Sequence, residues 1–341
     1  MTAAQLEKTR LGARGPEVSR LCLGAMMFGD QTDEGEAVEM IARYGEAGGN
    51  FIDTADQYAG GASERVIGRA VAGQRDRWVI ASKGGNSVTG VPDSGGLSPL
   101  WLRQAIDQTL DRLGADRIDL YYLHLDDEAT PLEETVGAIG EMLEAGKIGG
   151  WGFSNFRAWK IAEMIRIADS LGVARPIAAQ PYYHALYRLI EIDYLPACAH
   201  FGIGVVPYSP LARGLLTGKY NEGTPEGSRA ARGDTRMMET EFRPEAIEAA
   251  RNIARYVEPS GRPMGGFALS WVLANRLISG VVIGPKTMTQ LEDYLTLART
   301  PYTAEDEAFM NRLIPSGSAA GYAYSDPRYP YRGRVFSGRA S

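Results

Sequence analysis

NFIDTADQYAGGASERVIGRAVAGQRDRWVIASK, residues 50–83, holds an apolar run, a Gly-rich turn, an amphipathic segment and a second apolar run. Asn50–Thr54 and Trp78–Ser82 are short and bounded by polar or Gly residues, which reads as strand, and Ser63–Val71 between them carries a helical pattern. The alternation continues in both directions. Further strand-like runs are Val18–Leu23, Ile118–Leu123, Ile148–Gly152, Ile177–Gln180, Gly204–Pro207 and Gly280–Ile283, which makes eight in all. Helical patterns fill the gaps at Asp33–Ala47, Pro99–Leu113, Pro131–Ala145, Ala158–Leu171, Ile192–His200, Pro244–Val257 and Met264–Ala274. Ser63, Ser98 and Asp33 stand where N-caps belong, and Glu36 would complete a capping box with Asp33.

At about 150 residues per domain, 341 residues allow two domains, but no shift in composition divides the chain. Eight strands alternating with helices describe an α/β protein built as a single (β/α)8 TIM barrel, which needs about 250 residues. The surplus falls in the loop Gly84–Gly96, the connection Leu211–Phe242 and the tail after Pro315. The expected division is a barrel over 1–315 and a tail over 316–341. With Tyr322, Tyr324, Pro327, Tyr329, Pro330 and Tyr331, that tail is expected to fold over the barrel mouth or to be only partly ordered.

Apolar residues at 44% and charged residues at 23% are globular proportions. Thirty-six basic against 42 acidic side chains give a net charge of −6, and no Lys/Arg run interrupts the acidic balance. Nucleic acid and anionic membrane are therefore excluded as main partners, leaving small molecules. Cys22 and Cys198 stand apart among apolar neighbours and read as buried thiols, with no zinc or disulfide pattern and no metal site. The N-terminal MTAAQLEKTR lacks an apolar signal core and no stretch is long enough to span a bilayer, so the expected compartment is the cytoplasm.

In a TIM barrel the chemistry lies at the C-terminal ends of the strands. Those ends carry Asp53, Lys83, His124, Ser154 with Asn155, Gln180, Tyr208 with Ser209, and, past Gly284, Lys286. No GxSxG, HExxH, CxxC, P-loop or Rossmann fingerprint occurs, and an Asp, Lys, His and Tyr set suits proton transfer. A phenol titrates near 10; an ammonium beside Tyr58 favours its phenolate and lowers that value, and Lys83 is placed to do so. Asp53 would hold Lys83 charged, and His124 would donate a hydrogen bond to a carbonyl oxygen.

These residues resemble the aldo-keto reductase family, in particular its bacterial NADP-dependent oxidoreductase branch, from about Leu21 to Leu313. FIDTADQYAGGASERVIG, residues 51–68, is similar to the family's first signature. The resemblance implies a catalytic tetrad of Asp53, Tyr58, Lys83 in IASKGG and His124 in YYLHLDD, with Tyr58 as general acid in reduction and general base in oxidation. It implies Ser154 and Asn155 of GFSNF and Gln180 of AAQPYYH on the nicotinamide carboxamide, and Tyr208 stacked on the nicotinamide face. Ser209, Pro210, Leu211, Gly214 and Leu215 would follow the pyrophosphate. Asp53 and Gly24, Ala25 and Met26 near the first strands, and Ile283 and Gly284 at the eighth, complete the implied cofactor contacts. In VVIGPKTMTQLEDYL, Lys286, Thr287 and Gln290 would face a 2′-phosphate and Asp293 the adenine or ribose, while Tyr294 replaces the family's usual Asn. A cation at Lys286 favours NADPH/NADP+ over NADH.

The implied activity is reversible NADPH-dependent reduction of an aldehyde or ketone, with a small carbonyl or alcohol as partner and the oligomeric state left open. Met26, Met27, Phe28, Tyr182 and His184 would shape the pocket together with the two long loops and the tail. Two alternatives stand beside it: a dehydrogenase working mainly in the oxidative direction on an alcohol or sugar, and a regulatory subunit like the family's potassium-channel β-subunits, which bind cofactor and modulate a partner.

Overall fold

The computed structural model of the chain describes residues 5–321, 328 and 329. A short antiparallel hairpin, β1 (Lys8–Arg10) and β2 (Glu17–Ser19), precedes one eight-stranded parallel sheet. The sheet strands are β3 (Leu21–Gly24), β4 (Phe51–Asp53), β5 (Val79–Gly84), β6 (Leu120–Leu123), β7 (Trp151–Ser154), β8 (Ala178–Gln180), β9 (Gly204–Val205) and β10 (Val281–Ile283). They run in sequence order around the circle, with β10 beside β3. The last gap closes by single contacts: Ile278 bridges Val205, and Val282 N–H donates to Pro207 O at 2.9 Å. This is the expected (β/α)8 barrel.

The expected first strand, Val18–Leu23, breaks at Arg20, whose guanidinium donates to Leu273 O (2.6 Å) and Ile278 O (3.3 Å). Val18 belongs to the hairpin, and only Leu21 onward joins the barrel. The hairpin floors the barrel: Leu11 and Val18 pack with Cys22, Phe51, Leu120, Tyr122 and Val206. Its turn approaches the strands so closely that a Cβ on Gly12, at φ +64°, would lie 2.5 Å from Gly204 N. Glycine is required there.

The outer layer is α1 (Glu34–Glu46), α2 (Ala62–Val71), α3 (Pro99–Leu113), α4 (Leu132–Glu144), α5 (Ala158–Leu171), α6 (Tyr194–Phe201), α7 (Thr235–Thr240), α8 (Pro244–Val257), α9 (Met264–Ala274), α10 (Met288–Leu297) and α11 (Ala304–Leu313). Of these, α7, α10 and α11 lie outside the expected helical patterns. Asp33 and Ser98 cap their helices, accepting from Glu36 N–H (3.0 Å) and Trp101 N–H (3.3 Å). Ser63 is not a cap: left-handed Gly61 precedes α2, and the Ser63 hydroxyl bonds Ala25 O (2.8 Å) and Thr54 Oγ1 (2.7 Å). Nor does Glu36 close a capping box, since its carboxylate accepts Met288 N–H at 2.8 Å from the neighbouring helix α10.

Period-2 alternation sorts every strand into two faces. Leu21, Leu23, Ile52, Ile80, Tyr121, Leu123, Trp151, Phe153 and Ala179 face the helices, while Cys22, Phe51, Ala81, Leu120, Tyr122 and Ala178 face the barrel axis. Stepping two residues on from the axis-facing set reaches Asp53, Lys83, His124 and Gln180, all at the upper end. The apolar filling of the barrel therefore gives way to a polar layer at its mouth. Beyond Ile314 the chain folds back, with Arg188 N–H donating to Ser318 O (2.8 Å) and Ala320 N–H to Leu186 O (2.9 Å). Arg157 donates to Tyr329 O at 3.0 Å, and the Arg236 guanidinium lies over the Tyr329 ring. Tyr322, Tyr324, Pro327, Pro330 and Tyr331 lie outside the described residues.

Candidate active site

Lys83 is completely buried and has three N–H donors to place. They reach Asp53 Oδ1 (2.5 Å), Thr54 O (2.7 Å) and Tyr58 Oη (3.5 Å). Asp53 is fixed from its other side by Gln180, whose amide donates to Oδ2 at 2.7 Å. Tyr58 hangs on a turn in which Ala59 (φ 50°), Gly60 (φ 60°) and Gly61 (φ 85°) are all left-handed. An alanine there costs roughly 1 kcal/mol of backbone strain. The phenol ring meets His124 edge-on with centroids 5.9 Å apart.

Burial works against the Lys83 ammonium, but Asp53 and Tyr58 raise its pKa above the ordinary value, so it stays charged. For Tyr58 the expectation of a lowered value is corrected: burial pushes the phenol up, Lys83 pulls the other way, and the net direction is upward. Burial, with Lys83, Arg236 and Arg328 adding to it, holds His124 well below the ordinary histidine range. The ring is therefore neutral, and Nδ1 has no hydrogen-bond partner. The site combines a charged lysine, a protonated phenol and a neutral imidazole at one barrel end.

Beside this group, Ser154 Oγ donates to Gln180 O (2.7 Å), and left-handed Asn155 donates to His124 O (3.0 Å) while accepting from Tyr208 Oη (2.9 Å). Ser154, Asn155, Gln180 and Tyr208 thus converge, and the Gln180 amide nitrogen is already committed to Asp53. After β9, Ser209 (φ 61°), Ala212 (φ 47°), Arg213 (φ 52°) and Gly214 (φ 96°) wind the chain through a strained turn that includes Pro210, Leu211 and Leu215. Of the six left-handed non-Gly residues among those described, five lie in these turns after β4, β7 and β9. Clustered strain of this kind marks functional sites.

Lys286 sits at the far end of the mouth, beyond Ile283 and exposed Gly284. Thr287 and Gln290, expected to face a phosphate, instead build the start of α10. Thr287 caps it through Gln290 N–H (3.3 Å), and Gln290 Oε1 accepts Lys286 N–H (2.9 Å). Asp293 is exposed. Burial and the neighbouring Arg229, Arg232 and Lys219 lower the Lys286 pKa. SRAARGDTR, residues 228–236, supplies Arg229 and Arg232, whose meeting with Lys286 depends on the fold. Lys286 thus has three further cations near it, with Asp234, the ion-pair partner of Arg229, among them.

Of the residues after β3 expected at the cofactor or the pocket, Gly24, Ala25, Met27 and Phe28 are buried and Met26 is exposed at the rim. Tyr182 and His184 are also buried, in a network absent from the sequence reading. Leu186 N–H donates to His184 Nδ1 (3.2 Å), which places the ring proton on Nε2 facing Tyr182 Oη (2.6 Å). Tyr182 in turn donates to Glu241 Oε1 at 2.6 Å, and Arg213 Nε donates to Glu241 Oε2 at 3.0 Å. Burial, with Arg213 adding, pushes His184 down to about 3, so it is neutral. The Tyr182 ring lies 5.5 Å from that of Tyr208. No sequence signal linked Glu241 to Tyr182, 59 positions away.

The described residues contain no helix long and apolar enough to cross a membrane and no cluster of three metal-ligating side chains. The model of the aldo/keto reductase family matches residues 20–314. An uncharacterized oxidoreductase of Bacillus subtilis, YrpG, is 33% identical over 94% of this chain and all of its own length. A probable voltage-gated potassium channel subunit beta of Arabidopsis thaliana is 32% identical over 84% of this chain and 90% of that protein. The aflatoxin B1 aldehyde reductase member 2 of Mus musculus is 34% identical over 61% of this chain and 56% of that protein. Barrel, mouth and match agree: the chain belongs to the aldo/keto reductase family, oxidoreductases that use nicotinamide cofactors.

Proposed function

We propose that the protein reduces an aldehyde or ketone to the alcohol with NADPH in the cytoplasm, reversibly, with Tyr58 as proton donor. The observation that carries this reading is the Lys83 ammonium shared among Asp53, Thr54 and Tyr58 across from a neutral His124. When bound, the nicotinamide supplies the hydride. Tyr58 Oη holds the proton that the carbonyl oxygen needs, and Lys83 stabilises the phenolate left behind. His124 orients the carbonyl by a hydrogen bond and offsets its growing negative charge without gaining a proton. Ser154, Asn155 and Gln180 suit the carboxamide, Tyr208 the nicotinamide face, and the turn from Ser209 to Leu215 the pyrophosphate. Lys286 with Lys219, Arg229 and Arg232 suits a 2′-phosphate, which is why NADPH is preferred to NADH.

The test is oxidation of NADPH by the purified protein against a panel of aldehydes and ketones, and reduction of NADP+ against alcohols and sugars. Turnover is expected. Retained cofactor with no turnover in either direction would instead favour a regulatory subunit, a reading prompted by the channel-subunit relative. Lys286→Ala should raise the KM for NADPH on the order of tenfold, the effect of losing one charged hydrogen bond of about 1.5 kcal/mol, and leave that for NADH nearly unchanged. An equal rise for both cofactors would contradict phosphate recognition.

A further inference from the structure

Between β5 and α2, just outside the tetrad, lies a second group of buried acids that the mechanism above does not use. Glu64 is completely buried, and its oxygens accept from Ser82 Oγ (2.5 Å) and Arg112 Nε (2.6 Å), the partners of a carboxylate. Asp56, 1% exposed, has neither. Both of its carboxyl oxygens lack a hydrogen-bond partner, and the Gln57 N–H favours its charged form only from outside hydrogen-bond geometry. Next to it the Tyr121 hydroxyl is also buried without a partner, pressed so close to Gly84 that a Cβ there would lie 1.9 Å away. The acid pocket thus holds two carboxyl groups and one guanidinium.

An unpaired carboxylate in such a place is among the costliest things a protein can bury, whereas a carboxylic acid is tolerated. Four elements face Asp56: Glu64 from α2, Arg112 from α3, Lys83 from β5 and Tyr121 from β6. Only Arg112 and Lys83 are cations, and each already serves another carboxylate, Glu64 and Asp53 respectively. Burial first, then Glu64, pushes Asp56 up to about 8, against the smaller pulls of Arg112, Gln57 N–H and Lys83. Asp56 also stands two residues before Tyr58, and its N–H donates to Lys83 O at 3.0 Å.

We propose that Asp56 is a positioning residue that works as a neutral carboxylic acid, leaving the Lys83 charge to Asp53 and Tyr58. When Asp56 loses its proton it competes for that charge. The Tyr58 phenolate is then less favoured, so alcohol oxidation, which needs it, levels off or falls above pH 8 instead of continuing to rise. This step rests on the reading of Tyr58 as the proton-transferring group; the protonation of Asp56 does not.

Two measurements separate these layers. Infrared difference spectra of the full-length protein between pH 6 and pH 9 should show a protonated carboxyl band that disappears through pH 8 and is missing from Asp56→Asn. No such band, or one that persists in the variant, would overturn the protonation. In the oxidative pH profile with NADP+, Asp56→Asn should remove the inflection near pH 8, and Glu64→Gln, by deleting the neighbouring negative charge, should move it to lower pH. A merely structural role would lower activity evenly across pH and leave the inflection in place, which would overturn the proposal. Absence of turnover in the wild-type protein would contradict the reductase reading while the infrared band still decides the state of Asp56.

Discussion

Asp53 joins the two halves of the site, holding Lys83 with one oxygen and Gln180 with the other. Removing its charge leaves a buried ammonium without a counter-ion, a loss of about 3–5 kcal/mol. Asp53→Asn should therefore unfold at clearly lower denaturant concentration as well as lose activity; a variant that lost activity with unchanged stability would contradict a buried pair. His124 gives a pH prediction. Its folded pKa lies well below the ordinary value, so the neutral form and the stability tied to it are present above about 6.5 and fade as acid protonates the unfolded chain. Plots of kcat/KM against pH should show no His124 break near 6.5. Asp53, Lys83 and His124 were legible because alternation and the barrel rule place polar strand-end residues at the mouth. Asp56 and Glu64 were not, because their meaning lies in which partners burial leaves them, and no spacing encodes that.

At the scale of elements, the connection from Leu211 to Phe242 is clasped at its two ends by Arg213 and Glu241, both nearly buried. Tyr182 and His184 tie this clasp to the segment after β8, beside the Tyr208 ring. Glu241→Gln removes the charge and keeps the size. It should loosen NADPH binding on the order of tenfold in a fluorescence titration, with a smaller change in kcat at saturating cofactor, since the tetrad is untouched. An unchanged Kd would show that the clasp does not position the cofactor turn. Helices with clear apolar patterns were legible: α3, α5, α8 and α9 have the same bounds as their sequence patterns. The hairpin was missed because Val18 and Leu21–Leu23 form one apolar run, and only the distant partners of Arg20 divide it. The capping reading failed where Ser63 and Glu36 found tertiary partners instead of their own helix ends.

On the scale of the whole molecule, the barrel separates a floor from a mouth. Leu11, completely buried, seals the lower end far from the tetrad. Leu11→Ala should cost about 2–5 kcal/mol of stability and leave cofactor affinity nearly unchanged. A large fall in affinity would mean that floor and mouth are coupled. Among the described residues, the surplus that first suggested a second domain lies instead around the mouth, in the clasped connection, the loop Gly84–Gly96 and the segment that folds back after Ile314. The central claim is that Tyr58 supplies the proton for carbonyl reduction, and single-turnover oxidation of bound NADPH by Tyr58→Phe tests it most directly. The account predicts a rate lower by about 10²–10⁴-fold than wild type, with cofactor affinity close to unchanged. A variant that turns over within a few-fold of wild type would contradict it.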